Sequence, residues 1–260
     1  MRGRMSRGPW SAFVGISCLV LSAASASADV DHSSWDQLLA KHVNNGQVDY
    51  QGVQADRAQL DGYLNQLATV DVGQLASKEA KLALWINAYN ACVFKGVLDH
   101  APLESVKDVP GFFDRARYRV ANESLTLNEI EGKGRALGDW RIHFAVVCAS
   151  TSCPPLIGEA YVADRLDAQL TERTKAFLAD HERGLCVEGA TLCTSQIFKW
   201  YARDFLPSAG WLQPLTVEKL LGVLSPYLPA ELAQADRRSL AMKFLDYDWR
   251  LNAQQGRGPR

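Results

Sequence analysis

The sequence predicts a helix-rich α+β fold, a single domain built around a small and mostly antiparallel sheet. Several segments repeat apolar residues at three-four spacing, which indicates amphipathic helices. Other segments are short, rich in β-branched and aromatic residues and flanked by turn residues, as hairpin strands are. No internal repeat, low-complexity linker or change of composition divides the chain of 260 residues. We therefore expect one domain over residues 29–251.

The N-terminus has the layout of a secretory signal peptide. Arg2, Arg4 and Arg7 precede an uncharged apolar run at 10–21, and the small residues of 23–28 follow. The run is shorter than the ~20 residues that a membrane helix needs. We expect cleavage after residue 28 and a periplasmic or secreted protein.

The charge balance argues against nucleic acid as a partner. The chain has 28 basic and 29 acidic residues, and removal of 1–28 takes away three arginines and no acid. The mature chain is therefore mildly acidic, with a net charge of −4 and no basic footprint for nucleic acid or anionic lipid. No second apolar segment reaches membrane-spanning length, so we expect no stable membrane span after signal cleavage.

The first elements are short. Residues 34–44 predict an amphipathic helix with Ser34 as a candidate cap. Residues 46–50 predict a short strand after a glycine turn. Residues 56–67 place three leucines on one helical face.

A long helix over 78–99 is the strongest prediction. Ser77 suits the N-cap, and Glu79 suits the positive end of the helix dipole. Asn87 and Asn90 are three residues apart, so they share one face beside the apolar stripe. Their amides either satisfy backbone groups of a neighbouring loop or orient a catalytic group.

The middle of the chain predicts a hairpin over 116–127, and Thr126 then opens a short helix through a capping box. Residues 141–148, RIHFAVVC, alternate and are rich in β-branched and aromatic residues, which predicts a strand. A helix over 163–180 follows.

The last third predicts a strand-turn-strand unit at 185–193 and helices at 195–205 and 216–225. Residues 243–251 predict a late strand, and 252–260 a flexible tail.

Six stretches, taken in their order and spacing, resemble the domain of unknown function 547 family, found in bacterial exported proteins and in plant proteins. They are GQVDY (46–50), LWINAYNA (84–91), LTLNEIE (125–131), RIHFAVVCASTSCPPL (141–156), SQIFKWYARDF (195–205) and LDYDWRLN (245–252). The resemblance runs through most of the mature chain. It implies a shared fold and no particular activity, and it implies that His143, Cys148 and Cys153 belong to the family pattern.

Five cysteines remain after signal cleavage, in a compartment where disulfides persist. Cys186 and Cys193 face each other if Gly189 and Ala190 form a two-residue turn, so we expect a hairpin disulfide. A hydrogen-bonded rung would make that bond less favourable. Cys92 lies in the long helix and is expected to be a buried free thiol.

The stretch 141–155 carries the candidate site. On an ideal strand, His143 and Cys148 point to opposite faces, whereas Cys153 lies in a loop that can fold back. Three hypotheses follow: a cysteine nucleophile with His143 as base and an asparagine as orienter, a Cys148–Cys153 disulfide, or a zinc site. The other histidines show no paired spacing, so the zinc site is the least favoured of the three hypotheses.

Acidic residues give fewer candidates. Glu129 suits the capping box, which leaves Glu131 free to face a cleft. Asp246 and Asp248 share a face if the late strand forms, but capping or arginine pairing is the favoured role over acid-base chemistry.

These observations predict a thiol-dependent hydrolase or acyl transferase acting on an amide or peptide. His143 would be the base, Cys148 or Cys153 the nucleophile, Asn87 the orienter and Glu131 a cleft carboxylate. The alternative is a non-enzymatic periplasmic binding or envelope-assembly module stapled by its disulfides. We expect neither a cofactor nor a metal, and a small molecule or peptide as the partner.

Overall fold

The computed structural model describes residues 29–207, 214–233 and 239–259. The predicted signal peptide, residues 1–28, lies outside the described residues. The described chain is rich in helices and carries small sheets of two or three strands, which confirms the helix-rich α+β class. Within these ranges no helix has the length and apolar character needed to cross a bilayer.

Helices form at all the predicted places, the one at 195–205 as two short helices, and those at 50–55 and 230–233 were not predicted. The helices are α1 (Ser33–His42), α2 (Tyr50–Ala55), α3 (Arg57–Ala68), α4 (Lys78–Asp99), α5 (Leu127–Arg135), α6 (Leu166–Leu178), α7 (Gln196–Trp200), α8 (Ala202–Phe205), α9 (Val217–Leu224) and α10 (Ala230–Ala233). Short 3₁₀ helices lie at Val72–Gln74, Val106–Asp108, Trp140–Phe144, Ala163–Arg165 and Ser225–Tyr227.

The strands form three small sheets. They are β1 (Val43–Asn44), β2 (Gln47–Val48), β3 (Tyr118–Val120), β4 (Glu123–Leu125), β5 (Leu185–Glu188), β6 (Thr191–Thr194) and β7 (Ala241–Phe244). Pairs β1–β2, β3–β4 and β5–β6 are antiparallel, and β7 joins β6 in parallel.

Helix α4 is the centre of the core. Ser77 caps it as predicted, its hydroxyl accepting the Ala80 N–H at 3.0 Å. Almost every residue from Leu82 to Leu98 is buried, so neighbouring elements surround this helix rather than cover one stripe of it. Helix α5 packs on α4, and its capping box is present: Thr126 and Glu129 bond each other's backbone N–H groups.

The prediction of a strand over 141–148 was wrong. Residues Trp140–Phe144 form a 3₁₀ helix, and 145–148 continue as a loop. Asp139 caps the turn by accepting the Arg141 N–H at 3.0 Å, a local partner that a strand would not use. The argument that His143 and Cys148 point to opposite strand faces therefore does not apply.

Two smaller predictions also differ. His32, not Ser34, precedes the first helical residue of α1, and no side chain caps that end. The late strand stops at Phe244, and the rest of the predicted range, 245–251, makes only isolated bridges to 105 and 150.

The segment 252–259, for which the sequence predicts mobility, bonds to the N-terminal elements. Tyr50 donates its hydroxyl to Asn252 at 2.8 Å, and the Arg257 guanidinium lies 3.1 Å from Asp49. Val48 exchanges backbone hydrogen bonds with this segment. These partners are distant in sequence, so the polar composition of the tail does not predict the contacts.

Candidate functional site

A cleft of about 420 Å³ collects most of the predicted site residues. Glu131, His143, Cys148 and Cys153 all line it, whereas Asn87 does not. Aromatic side chains supply much of the remaining wall, namely Tyr89, Phe113, Trp200, Tyr201, Tyr247 and Trp249. A concave, largely apolar cavity with a few convergent polar groups is typical of a small-molecule or peptide site.

The two asparagines of α4 hold loops. Asn90 receives the Val147 N–H at 2.9 Å and donates to the Ala145 carbonyl at 3.0 Å. Asn87 does the same for both backbone groups of Tyr161, at 2.7 and 3.0 Å. Neither amide bonds to His143 in the structure. Asn90 therefore anchors the loop that leads to Cys148, and Asn87 anchors a loop outside the cleft.

The sulfur atoms of Cys148 and Cys153 lie at disulfide distance, as one of the three hypotheses predicts. Cys153 is buried, whereas Cys148 is partly exposed on the cleft wall. The Cys148 N–H donates to the Cys153 sulfur at 2.9 Å, and the Tyr247 hydroxyl lies 3.3 Å from each sulfur. Ser150 places its hydroxyl 3.2 Å from the Cys148 sulfur. Two donors, the Cys148 N–H and the Tyr247 hydroxyl, thus serve the Cys153 sulfur, and Ser150 donates to Tyr247.

His143 is held between two carboxyl groups. Its Nε2 hydrogen bonds Asp204 at 2.8 Å, and its Nδ1 lies 3.8 Å from Oε1 of Glu131. The ring stacks on Tyr201 with centroids 4.0 Å apart. With both nitrogens turned to acids, the imidazole has no hydrogen bond to either cysteine. His143 lies within the 3₁₀ turn at Trp140–Phe144.

Arg135 completes the network from the C-terminal turn of α5. Its guanidinium binds Asp204 through two hydrogen bonds, of 2.6 and 3.0 Å. Hydrogen bonds from His143, then from Arg135, hold the pKa of Asp204 well below its usual range. Arg135, Asp204 and Tyr201 were not predicted as site residues from the sequence. The last two lie in SQIFKWYARDF, a stretch that the family resemblance had already marked.

Glu131 has the opposite electrostatic environment. Its side chain is only 8% exposed, and burial raises the pKa of the carboxyl. The neighbouring imidazole of His143 and hydroxyl of Tyr201 oppose that shift in part. Its Oε1 has no hydrogen-bond partner within the described part of the chain. A buried, unpartnered carboxyl oxygen on a cleft wall is costly and suggests a chemical role.

An aromatic rim lies at the mouth of the cleft. Trp200, Tyr247 and Trp249 contact one another with centroids 4.6 to 5.9 Å apart, and Trp200 is 47% exposed. Lys107 extends over Trp249, its Nζ 4.9 Å from the ring centroid. Burial raises the pKa of Tyr247 to about 12, so its hydroxyl stays protonated at neutral pH.

The predicted Cys186–Cys193 disulfide is absent, although the predicted register is correct. The two residues face each other across β5 and β6, but both thiols are free. The Ser195 N–H donates to Gly184 O at 3.0 Å, so alternation makes the Cys186–Cys193 rung hydrogen-bonded as well. Side chains are farther apart on such rungs, which disfavours the bond. Cys92 is a buried free thiol, as expected.

The acids near the C-terminus act structurally. Asp248 pairs with Arg250 through several contacts, and its N–H donates to Ser152 at 2.8 Å. Because no strand forms there, Asp246 and Asp248 do not share a strand face. The favoured interpretation, arginine pairing, is confirmed for Asp248.

Comparisons with known proteins give a family match for one part of the chain. No curated protein and no solved structure matches it. A family model matches one part of the chain. That part contains Glu131, His143, Cys148 and Cys153 and ends before Tyr201 and Asp204. Residues 73–178 match the family described as "Protein of unknown function, DUF547".

Proposed function

We propose that the chain is an exported thiol-dependent hydrolase or acyl transferase acting on amide or peptide substrates, with the cleft as its active site. One observation carries the proposal: a cysteine and a buried carboxyl with a free oxygen line the same cavity. These groups supply a nucleophile and an acid-base group, the two functions that acyl transfer needs.

Cys148 is the better nucleophile of the pair. Its partly exposed sulfur lines the cavity, whereas Cys153 is only 4% exposed. The Ser150 and Tyr247 hydroxyls lie 3.2 and 3.3 Å from this sulfur, and after reduction they can turn their protons towards the negative charge that develops on it. Cys153 is then the partner that closes the disulfide.

The disulfide must open before reaction. One dithiol or two monothiols supply the two electrons and two protons, and become a disulfide in exchange. Cys148 and Cys153 then carry free thiols. The closed form protects the nucleophile from irreversible oxidation.

The acyl-transfer steps need a single proton carrier. Glu131 takes the thiol proton as Cys148 attacks the carbonyl carbon, and a carbon–sulfur bond forms. The carbon–nitrogen bond breaks, and the amine leaves with the proton from Glu131. Water, or an acceptor amine, then attacks the thioester, gives a proton to Glu131, and the sulfur takes that proton back. A carboxyl with a raised pKa suits this double role.

His143 acts here as a positioning residue rather than as the base. Asp204 and the Tyr201 ring fix its orientation, and its Nδ1 faces Glu131. The imidazole, whose Nδ1 lies 3.8 Å from Oε1, lowers the pKa of Glu131 and so opposes the effect of burial. His143 therefore tunes the carboxyl, and Asp204 holds His143.

The aromatic rim indicates how the substrate binds. Trp200, Tyr247 and Trp249 present flat apolar surface, which packs on peptide planes and on apolar or aromatic side chains. Lys107 has no acidic partner within ion-pair distance in the described ranges, so its ammonium group is available for a carboxylate. A short peptide with an apolar side chain and a nearby carboxylate fits this chemistry.

A non-enzymatic binding module is the second candidate, and the disulfide distance between Cys148 and Cys153 favours it. In that case the bond is a permanent staple of the loop and the cleft only binds. Both candidates use the same cavity, so the behaviour of the sulfurs separates them.

A panel of dipeptide aminomethylcoumarin amides tests the proposal, with and without a phosphine reductant. We expect reductant-dependent turnover by the wild type, none by Cys148→Ser, and turnover without reductant by Cys153→Ser. Glu131→Gln should lower kcat/KM by about 100-fold or more. Glu129→Gln is the matched control, since Glu129 is exposed and its capping bond survives as an amide.

The outcomes separate the two candidates. Turnover that persists in Cys148→Ser contradicts the nucleophile assignment. Absence of turnover in every variant, with ligand binding retained by the oxidised wild type, supports the binding module and overturns the enzyme.

A further inference from the structure

A second cluster of reactive side chains lies on the hairpin of β5 and β6, outside the cleft. Cys186 and Cys193 are directly opposite, and Glu188 is two residues beyond Cys186 on the same strand. Alternation along a strand places all three side chains on one face. The two sulfurs and a carboxylate oxygen lie within 4.8 Å of one another.

The backbone explains why the sulfurs approach without bonding. Cys186 and Cys193 occupy a hydrogen-bonded rung, where facing side chains are more widely spaced than on the neighbouring rungs. That spacing is poor for a direct sulfur–sulfur bond but leaves room for an atom between the sulfurs.

We propose that Cys186, Cys193 and Glu188 bind a thiophilic divalent cation, with Zn²⁺ as the best fit. Zn–S bonds of about 2.3 Å and Zn–O bonds of about 2.0–2.2 Å place tetrahedral ligand atoms about 3.5–3.8 Å apart. Small side-chain rotations reach that geometry from separations within 4.8 Å. Binding deprotonates both thiols, releases two protons to solvent and leaves the fourth position to water.

The donor set selects the metal. Thiolates bind zinc and other thiophilic ions in preference to Ca²⁺ and Mg²⁺, which take oxygen ligands. One carboxylate beside two thiolates is within the ligand range of zinc. The inference is independent of the proposed function, since none of the three residues lines the cleft.

Cobalt titration of the full chain tests the site, because Co²⁺ takes the place of Zn²⁺ and its thiolate charge-transfer band reports directly on sulfur ligation. The protein is kept free of reductant, so that Cys148 and Cys153 stay joined. We expect one equivalent of Co²⁺, displaced by Zn²⁺. Cys186→Ser and Cys193→Ser should each abolish the band, and Glu188→Gln should weaken binding by about 10-fold or more.

Two control variants make the test specific. Glu182→Gln removes an exposed carboxylate that precedes the hairpin, and Cys92→Ser removes a thiol buried in α4. Neither should change the titration, and circular dichroism checks that each variant is folded. Absence of the charge-transfer band in the wild type overturns the proposal. So does a native peptide map in which Cys186 and Cys193 are covalently joined.

Discussion

Oε1 of Glu131 lies 3.8 Å from Nδ1 of His143, on the wall of a cleft that also contains Cys148 and Cys153. The same imidazole hydrogen bonds Asp204 through its other nitrogen, so it joins two carboxyl groups. Their pKa values move in opposite directions: burial raises that of Glu131, and hydrogen bonds from His143 and Arg135 lower that of Asp204. With pKa values shifted in opposite directions, Glu131 can carry a proton while Asp204 stays ionised.

The shift at Glu131 predicts a pH-dependent effect of Glu131→Gln on stability. A raised folded pKa means that the wild type loses stability as pH rises from the unfolded pKa, about 4.3, through the folded value. Glutamine does not titrate, so the variant does not lose stability in this way. The melting temperature of the variant, relative to wild type, should therefore increase between pH 4 and pH 8.

Glu129→Gln is the matched control because its shift has the opposite sign. The Thr126 backbone N–H lowers the pKa of Glu129, so its charge stabilises the fold above the unfolded pKa. Relative to wild type, this variant should lose stability as pH rises. Parallel pH profiles for the two variants would show that burial does not govern Glu131.

Asp204→Asn should lower stability at neutral pH. The depressed folded pKa gives stability that is present above the unfolded pKa and lost as pH falls through the folded value. We expect a loss of about 2 kcal/mol at pH 7 in urea unfolding, shrinking towards pH 3. Asp246→Asn, at an exposed carboxylate, should stay within about 0.5 kcal/mol. A loss at Asp204 that does not shrink in acid would point to packing instead of charge.

Much of the fold follows from local signals. The long helix and the capping box of Thr126 were predictable because caps and apolar periodicity act within a few residues. RIHFAVVC has the composition of a strand, yet its backbone groups bond to the side chain of Asn90, 55 and 57 residues away. Long-range partners of this kind override local preference.

The candidate site was also predictable only in part. Glu131, His143 and both cysteines were marked by residue type and by the family resemblance. Asp204 was missed because it meets His143 across 61 residues, and a single sequence carries no sign of that pairing. The base role of His143 was predicted from the density of His, Cys and Asn residues, whereas the two acids that hold its nitrogens come together only in the fold.

Asn90→Ala should be strongly destabilising. It orphans the buried Ala145 carbonyl and Val147 N–H, each at a cost of about 1–3 kcal/mol. Urea unfolding should show a total loss of about 2–5 kcal/mol. Asn65→Ala, at an exposed position of α3, is the control and should change stability little. Equal effects at the two positions would rule out the anchoring role of Asn90.

Tyr247→Phe should slow the alkylation of the reduced Cys148 thiol. The lost hydroxyl lies 3.3 Å from both sulfurs, so the thiolate loses a hydrogen-bond partner and forms less readily. Iodoacetamide alkylation should fall about threefold or more. Tyr227→Phe, in the 3₁₀ helix at Ser225–Tyr227, should leave the rate unchanged. An unchanged rate in Tyr247→Phe would remove this hydroxyl from thiol activation.

If Cys148 is a nucleophile masked by Cys153, peptide mapping after iodoacetamide treatment should reveal both the mask and the activated thiol. Before reduction, we expect no adduct on either residue. After brief treatment with a phosphine, Cys148 should be alkylated first, ahead of Cys153 and faster than Cys186, whose sulfur is also partly exposed. If Cys148 then reacts no faster than Cys186, it is not an activated thiol, and the enzymatic account is contradicted.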